Sequence, residues 1–473
     1  MELSRYLKIY PSANNPRNVI LYSTKNAAIV ELPRKTAERL PHVDLSYEDR
    51  KTLAQAGFLV KDAEKEKQEF LPYIDELNGL NKTLSIKLVM NLDCNLACRY
   101  CFEGKRKGSH FMTKKTADDF IGFVKKRITA SSNCAVSFPQ AMRVGNLSGR
   151  EERFRTSRND GQRSGLGRDR AGIKELLITY YGGEPLLSRD LILSISERLK
   201  LFTKEKGLRL KLYLTTNGTL LTKETVRMLK PFGLKEALVT LDGPSDIHNS
   251  FRPFKGGGGS FDAIVKNIKE IRSRVSIALN GNYVRNNYRR FSDLLDYLKD
   301  EGIDISRMPS VQFSPVVAES EDFGPGFHEG CASISEPWFP KASVWLREEI
   351  LKRKGRQART EPGLCMMEYE NNLLVNYDGG IYKCPGLIGR EEYRIGDIWN
   401  GMTDYRQSHN LDNWKCQECL ECVYLPLCFG GCRYMKLVRD GNMHGVDCRR
   451  EFFDATLEAL VKQDIKYRLV GGR

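Results

Sequence analysis

The stretch that decides the fold is residues 84–101, which read LSIKLVMNLDCNLACRYC. A short apolar run is followed directly by Cys94, Cys98 and Cys101 in the spacing C-x3-C-x2-C. Three thiolates this close can hold three irons of a four-iron cluster and leave the fourth iron without a protein ligand. An iron with an open position can do chemistry. The alternatives are a three-thiolate zinc site or three unpaired core cysteines, although zinc sites more often show C-x2-C with a distant second pair.

This loop resembles the signature of the radical S-adenosylmethionine enzymes, C-x3-C-x-(aromatic)-C, with Tyr100 as the aromatic residue. The resemblance implies that Tyr100 is one of the residues that bind the cofactor. The resemblance covers roughly residues 84–450 and implies that the three cysteines hold a [4Fe-4S] cluster. It also implies that S-adenosylmethionine chelates the open iron and that one electron cleaves its sulfonium. The resulting 5′-deoxyadenosyl radical then takes a hydrogen atom from the substrate.

Length and charge bound the class of protein. The 473 residues suffice for about three domains. The net charge of +15 suits an acidic partner, but basic residues do not alternate with aromatics in any long block, so we discount nucleic acid. We expect a cytoplasmic protein without a membrane anchor, because residues 1–10 do not read as a signal peptide and no run of 18 apolar residues occurs. Most of the 13 cysteines fall into two groups, which indicates metal ligands rather than disulfides.

Six short apolar runs predict six strands, with amphipathic helical segments between them. The predicted strands are residues 85–90, 176–181, 208–215, 237–241, 275–279 and 311–314. This alternation predicts an α/β fold with a parallel sheet covered by helices. Six units predict a partial (β/α)6 TIM-like barrel, which is also the fold that the resemblance implies. In parallel barrels the reactive residues follow the carboxyl ends of the strands, where the Cys94 loop lies.

Three domains are expected along the chain. Residues 1–80 combine a hairpin with two helices, the second capped by Ser46, and we interpret them as a winged-helix-like element and linker that recognises a leader peptide. A packing appendage without a ligand is the alternative. Residues 81–355 form the barrel and residues 356–473 a Cys-rich domain. The Arg-rich segment 133–172 lacks hydrophobic periodicity, and we interpret it as a disordered insertion or as an error in the coding sequence.

Further motifs follow the predicted strands. Gly182-Gly183-Glu184 follows the second strand, where the glycines let the backbone approach a ligand and the carboxylate can accept from an ammonium group. In this context the motif resembles the one that binds the amino group of S-adenosylmethionine. Asn217 and Thr240 end the third and fourth strands, and Arg252 comes shortly after; we expect all three to contact the cofactor, with ordinary turn chemistry as the alternative.

The second cysteine group resembles the SPASM extension of radical enzymes that act on peptides, which carries two auxiliary [4Fe-4S] clusters. The resemblance assigns an outer cluster to Cys419, Cys422, Cys428 and Cys448, and an inner cluster to Cys365, Cys384 and Cys432. The inner cluster needs a fourth ligand, for which Cys416 and Cys331 are candidates, or it keeps an open iron. Zinc ribbons are the alternative that spacing permits. Asp378 is a candidate general base.

These features predict a radical S-adenosylmethionine peptide maturase that forms thioether crosslinks from Cys sulfur in a ribosomally made precursor peptide, as sactipeptide, ranthipeptide and geopeptide maturases do. Its partners would be that precursor with its leader and an electron donor such as ferredoxin or flavodoxin. The closest alternative enzyme is a formylglycine-generating anaerobic sulfatase maturase. An alternative of another class is a non-catalytic zinc protein that binds nucleic acid.

Overall fold

The computed structural model of the chain describes residues 1–40, 46–101, 103–133, 172–317, 329–331 and 333–469. The prediction for segment 133–172 therefore lies outside the described residues, apart from the two end positions. Within the described part of the chain, no helix is long and apolar enough to cross a membrane.

The first unit comprises the N-terminal residues. In chain order its elements are β1 (Glu2–Leu3), β2 (Leu7–Pro11), β3 (Asn18–Ser23), β4 (Ile29–Pro33), α1 (Arg34–Arg39), α2 (Tyr47–Gln55), β5 (Leu59–Val60), α3 (Ala63–Glu66) and α4 (Tyr73–Leu80). The predicted hairpin is β3 and β4, and β2 adds a third antiparallel strand on the other side of β3. Ser46 caps α2 as predicted, since its hydroxyl accepts from the Asp49 N–H at 3.1 Å.

The barrel follows. Its elements are β6 (Thr83–Val89), α5 (Lys114–Asn133), β7 (Glu175–Tyr181), α6 (Arg189–Glu205), β8 (Arg209–Thr216), α7 (Lys223–Leu229), β9 (Leu234–Thr240), α8 (Ser245–Phe251), α9 (Phe261–Ile271), β10 (Ser276–Tyr283), α10 (Phe291–Asp300) and β11 (Val311–Pro315). These strands pair in parallel in the order β6-β7-β8-β9-β10-β11. The prediction of a partial (β/α)6 barrel is confirmed.

The core of the barrel lies between the sheet and its covering helices. Strand residues that alternate along β6, such as Leu84, Ile86 and Leu88, are fully buried against apolar residues of the helices. Burial of this apolar surface drives the fold. The loops that follow the strands are thereby held together at one end of the sheet.

The C-terminal region begins with the long helix α11 (Trp338–Lys352) and continues with short elements. These are β12 (Asn372–Val375), β13 (Gly380–Tyr382), β14 (Gly396–Asp397), β15 (Gly401–Met402), α12 (Gln417–Leu420), α13 (Leu425–Cys428), α14 (Arg433–Asp440) and α15 (Arg450–Asp464). β12 pairs in parallel with β6, and β13 to β15 extend the sheet further. The Cys-rich region thus shares the barrel sheet and adjoins the strand that leads into the Cys94 loop.

The N-terminal unit packs on this region rather than standing apart. One face of its sheet, with Tyr10, Ile20 and Tyr22, packs against apolar residues of α15 such as Leu457. The other face packs against α1 and α2. The Thr24 hydroxyl also donates to the Val423 carbonyl at 2.6 Å. Both faces of the sheet are therefore covered. Its edge strands are β2 and β4, and among the described residues each of them pairs only with β3.

Candidate active site

The Cys94 loop is fixed to the segment that follows α8. The Ala97 N–H donates to the Pro253 carbonyl at 2.8 Å, and the Arg99 N–H donates to the Phe251 carbonyl at 3.0 Å. A β-bridge joins Leu96 to the same segment at Phe254. These backbone contacts fix the course of the loop through the protein itself.

The three thiols of the loop are held in a buried environment with two cations beside them. Burial raises the pKa of Cys94, Cys98 and Cys101, the last to about 11. Lys107 lowers the pKa of all three thiols, and Arg252 lowers that of Cys98. The Lys107 Nζ is anchored on the Leu96 carbonyl at 2.6 Å. Because only the thiolate binds a metal, these cations favour the form that a cluster needs.

Buried polar atoms without a partner border the same loop. Both carboxylate oxygens of Glu103, the Nε of Arg252 and the Oδ1 of Asn91 have no hydrogen-bond partner among the described residues. Glu103 is only 3% exposed, and burial raises its pKa to about 8. Such atoms call for a polar ligand, so the donor set of three neighbouring thiols and its surroundings fit an iron-sulfur cluster with a polar cosubstrate.

A site for a single metal ion needs its ligand atoms around one point. Among the residues described, no group of three or more His, Cys, Asp or Glu side chains is arranged to hold one metal ion. A zinc ion would gather its thiolates around one point at about 2.3 Å. The thiols of a four-iron cluster instead bind separate irons.

The glycine pair of the Gly182-Gly183-Glu184 motif lies against the backbone that leads into the cysteine loop. A Cβ at Gly182 would lie 2.3 Å from the Asn91 carbonyl oxygen, and one at Gly183 would lie 2.2 Å from the Asp93 carbonyl oxygen. The Glu184 N–H donates to that same Asp93 oxygen at 2.8 Å. The close approach that the glycines permit is thus to protein backbone, whereas the sequence predicted an approach to a ligand.

The Glu184 carboxylate is fully buried and accepts from its own surroundings. The Thr216 hydroxyl donates to it at 2.8 Å, the Asn217 N–H at 2.8 Å and the Leu186 N–H at 3.1 Å. Burial raises the pKa of Glu184 to about 6. This carboxylate ties β7 to the end of β8 and lies at the predicted cofactor side of the barrel.

Asn217 and Thr240 occupy the strand ends where the sequence analysis put them. The Asn217 amide donates to the Cys94 Sγ at 3.6 Å and to the Asn95 Oδ1 at 2.8 Å. Thr240 is buried at the end of β9, and its hydroxyl accepts from the Asn280 amide at 3.5 Å. Asn217 therefore contacts a cysteine of the loop directly, whereas Thr240 contacts the neighbouring strand.

Tyr100 and Arg252 meet in one buried cluster with Asp242 and Asn282. The Tyr100 hydroxyl donates to Asp242 and accepts from the Arg252 Nη1 at 2.8 Å and from the Asn282 amide at 3.1 Å. Asn282 was missed by sequence reasoning. Its position inside a barrel strand gave no local signal.

The second cysteine group divides in space into an inner and an outer set. Burial raises the pKa of Cys384 to about 12, and the thiols of Cys365 and Cys432 lie close enough to raise it further. The outer set is Cys419, Cys422, Cys428 and Cys448, in which neighbouring thiols raise the pKa of Cys419 and that of Cys428. The assignment of the inner and outer sets to two clusters stays a prediction of the SPASM resemblance.

The contacts found for the two candidates for a fourth inner ligand are with other groups. The Cys416 thiol lies beside Cys419 of the outer set and raises the pKa of Cys419. The Cys331 Sγ donates to the Ser333 carbonyl at 3.0 Å, next to the end of β11. The inner thiols that act on one another among the described residues are those of Cys365, Cys384 and Cys432.

Two side chains of the barrel interior lie between the cysteine loop and the inner set. Tyr181 is near both Cys101 and Cys384, each of which raises its pKa although burial is the main cause. The Lys87 Nζ lies 5.9 Å from the centre of the Tyr181 ring, and burial lowers the pKa of Lys87.

Asp378 lies in the β12–β13 turn, where its Oδ1 accepts from the Gly380 N–H at 2.9 Å. No contact of Asp378 with a cysteine is found among the described residues.

Comparison with known proteins agrees with this geometry. Residues 88–298 match the sequence model of the Radical SAM superfamily. The chain is 24% identical over 320 residues to the Fe-coproporphyrin III synthase of Methanosarcina barkeri, covering 59% of this chain and 76% of that protein. It is 25% identical over 296 residues to the serine-type anaerobic sulfatase-maturating enzyme of Bacteroides thetaiotaomicron, covering 55% of this chain and 69% of that protein.

A solved structure shares the fold. Native anSMEcpe with bound AdoMet and Kp18Cys peptide superposes with a TM-score of 0.57 at 17% identity, covering 80% of this chain and 98% of that one. The chain thus contains a radical SAM domain and is an enzyme, which argues against the non-catalytic zinc protein. The domain's cofactors are S-adenosylmethionine and a [4Fe-4S] cluster.

Proposed function

We propose that this enzyme modifies a ribosomally made, Cys-rich precursor peptide by forming thioether crosslinks from Cys sulfur. The observation that carries this proposal is the inner set of three thiols, Cys365, Cys384 and Cys432. The contacts found for the two candidate fourth cysteines are with other groups, since Cys416 lies beside Cys419 and Cys331 donates to the Ser333 carbonyl. A cluster held by three thiolates keeps one iron free for a fourth ligand. A substrate thiolate is the ligand that such an iron would take from a Cys-rich peptide.

At the barrel end, Cys94, Cys98 and Cys101 would hold the catalytic cluster, and Glu184 and Asn217 would face S-adenosylmethionine together with the Gly182-Gly183 backbone. When bound and reduced, these cofactors supply a 5′-deoxyadenosyl radical that removes a hydrogen atom from the substrate. The chain's own part is to hold the acceptor carbon at this end and the substrate thiolate at the inner set. Tyr181 and Lys87 would line the space between.

The overall reaction is a two-electron oxidation of the peptide. One hydrogen atom goes to the adenosyl group, the thiol gives up its proton, and one electron remains when the carbon–sulfur bond closes. The cysteines of the inner and outer sets would hold clusters that could supply an acceptor for this electron. A ferredoxin or flavodoxin would supply the electron that starts the reaction. Asp378 stays a candidate base for the thiol proton, but its turn hydrogen bond supports a structural role equally well.

Residues 1–80 would hold the leader of the precursor. Both faces of the three-stranded sheet are covered, so an added strand at an open edge is the mode of binding that this sheet offers. β4 is such an edge. The net charge of +15 favours an acidic leader.

A second candidate function has its own support. Relatives of this chain include serine-type and cysteine-type anaerobic sulfatase-maturating enzymes, the latter 25% identical over 281 residues in Clostridium perfringens. Formylglycine formation would use the same radical loop and would need no leader-binding element. The N-terminal unit and the three-thiol inner set favour the crosslinking reaction.

Mass spectrometry separates the two reactions. The enzyme would be co-produced without oxygen with each short Cys-rich peptide encoded next to its gene. Crosslinking predicts a product that has lost two hydrogen atoms per bond and no longer reacts with a thiol alkylating agent at the linked Cys. A product in which oxygen replaces sulfur would support formylglycine formation and contradict the crosslinking proposal.

A further inference from the structure

The Tyr100 hydroxyl has no capacity left for a cofactor. A phenolic hydroxyl donates one hydrogen bond and accepts at most two. In this structure it donates to Asp242 and accepts from Arg252 and Asn282, at 2.8 and 3.1 Å. All three of its hydrogen-bonding positions are taken by side chains of the protein.

Asp242 and Asn282 fix this hydroxyl to the ends of two barrel strands. Asp242 follows β9, is fully buried, and its Oδ1 accepts from the Asn282 backbone N–H at 2.7 Å and from the Asn282 amide at 3.2 Å. Asn282 lies near the end of β10. Tyr100, one residue before Cys101, is thereby linked to the rigid part of the sheet.

His248 and Ser260 connect Asp242 to the backbone of Arg252, the second partner of Tyr100. The His248 Nδ1 accepts from the Asp242 N–H at 3.2 Å, and its Nε2 is 3.0 Å from the Ser260 Oγ. The Ser260 hydroxyl in turn donates to the Arg252 carbonyl at 2.7 Å. Arg252 belongs to the segment that pairs with residues 96–99 of the cysteine loop, so side-chain and backbone contacts act on the loop together.

We propose that Tyr100, Asp242, Arg252 and Asn282 form a buried brace that sets the position of Cys98 and Cys101 relative to the strand ends. Tyr100 is then a positioning residue that acts through the protein, whereas the resemblance to the family assigned it to the cofactor. Arg252 completes the brace and places its charge beside Cys98. This inference rests on the proposed radical chemistry at the loop.

The test uses the full chain, reconstituted with iron and sulfide without oxygen, and S-adenosylmethionine as the only added substrate. Tyr100→Phe keeps the ring and removes the hydroxyl. We expect iron content and the KM for S-adenosylmethionine to stay within about twofold of the unaltered enzyme, while kcat for methionine release falls about tenfold or more, since a small misplacement of reacting groups is enough for such a loss. The electron paramagnetic resonance spectrum of the reduced cluster with S-adenosylmethionine should also broaden or shift.

A double-mutant cycle then tests whether the brace acts as one unit. Asp242→Asn alone and together with Tyr100→Phe should lower kcat to a similar level, because each change breaks the same connection. Tyr297→Phe, half-buried on the outer helix α10, is the matched control and should leave kcat and spectrum unchanged.

Each remaining outcome is decisive. A rise in KM with unchanged kcat would mean that Tyr100 contacts the cofactor, and additive effects in the cycle would mean that Tyr100 and Asp242 act independently. Either result would overturn the brace. If Tyr100→Phe fails to retain iron, Asn282→Ala decides: the brace predicts the same loss of kcat and the same spectral change, and normal values would refute it. Absence of methionine release from the unaltered enzyme would instead refute the proposed function.

Discussion

The charge around the cysteine loop shows why its thiols suit a metal cluster. Burial favours the neutral thiol at Cys94, Cys98 and Cys101. The positive charge of Lys107 favours the thiolate at all three residues, and that of Arg252 favours it at Cys98. The Lys107 ammonium cannot move far, because the Leu96 carbonyl holds it. Its positive charge is therefore a fixed part of the site and should also act on the bound cluster.

Replacement of Lys107 by Met should make the loop cluster harder to reduce. Loss of a nearby cation disfavours the added electron, so the midpoint potential should fall by something on the order of tens of millivolts. A redox titration followed by electron paramagnetic resonance measures this shift. Lys107→Arg should restore most of it, and Lys115→Met, on the exposed side of α5, should have no effect. An unchanged potential in Lys107→Met would show that this charge does not reach the cluster.

The positions of single cysteines also separate the inner from the outer set. Cys384 lies near Cys365 and Cys432, whereas the Cys416 thiol lies beside Cys419. If three clusters are bound, Cys384→Ala should lower iron and sulfide by about one third, and Cys416→Ala should leave both unchanged. Iron and sulfide analysis of the two reconstituted variants is the measurement. An equal loss in both variants would show that Cys416 is itself a cluster ligand and would contradict this prediction.

Neighbouring loops interlock at the carboxyl ends of β6 and β7. The Gly182-Gly183 turn lies against the backbone of Asn91 and Asp93. The Glu184 carboxylate accepts from the Asn217 N–H, directly after β8. Glycine is required because a side chain would overlap a carbonyl oxygen rather than a movable group. The cysteine loop thus depends on a turn more than 80 residues away along the chain.

Substitution of Gly183 by Ala should disturb this junction. The new Cβ would lie 2.2 Å from the Asp93 oxygen, so we expect a loss of roughly 1–3 kcal/mol in stability and lower iron incorporation at the loop. Gly122→Ala is the matched control, since a Cβ there meets nothing within 4 Å and the position is inside α5. That control should be neutral or slightly stabilising. Thermal unfolding and iron content compare the two variants, and equal behaviour would contradict the close packing described here.

The elements that the sequence predicted are those with strong hydrophobic periodicity. The six barrel strands were predicted close to their observed bounds, because the burial of their side chains leaves a regular pattern. β1, β2 and β12 to β15 were missed. They are short, and what makes them strands is pairing with distant partners, as β12 pairs with β6. Such pairing leaves little trace in a short stretch of sequence.

The arrangement of the whole chain brings three cysteine sets and an N-terminal sheet into one connected body. β12 joins the Cys-rich region to β6, and α15 packs on the N-terminal sheet. The Cys94 loop could be predicted because its cysteines are neighbours in the sequence, whereas the inner set of Cys365, Cys384 and Cys432 could be assigned only through the SPASM resemblance. Lys107, Glu103 and Asn282 could not be predicted, since their importance arises only from tertiary neighbours. The same holds for the position of Cys416 beside Cys419.

The central claim is that Cys94, Cys98 and Cys101 hold a cluster that cleaves S-adenosylmethionine. The most direct measurement is release of methionine and 5′-deoxyadenosine from the full-length enzyme, reconstituted with iron and sulfide without oxygen and reduced with dithionite. We expect both products in equal amounts, and none from Cys98→Ala prepared in the same way. A reconstituted, iron-loaded enzyme that releases neither product, or a Cys98→Ala variant that releases as much as the unaltered enzyme, would contradict the account.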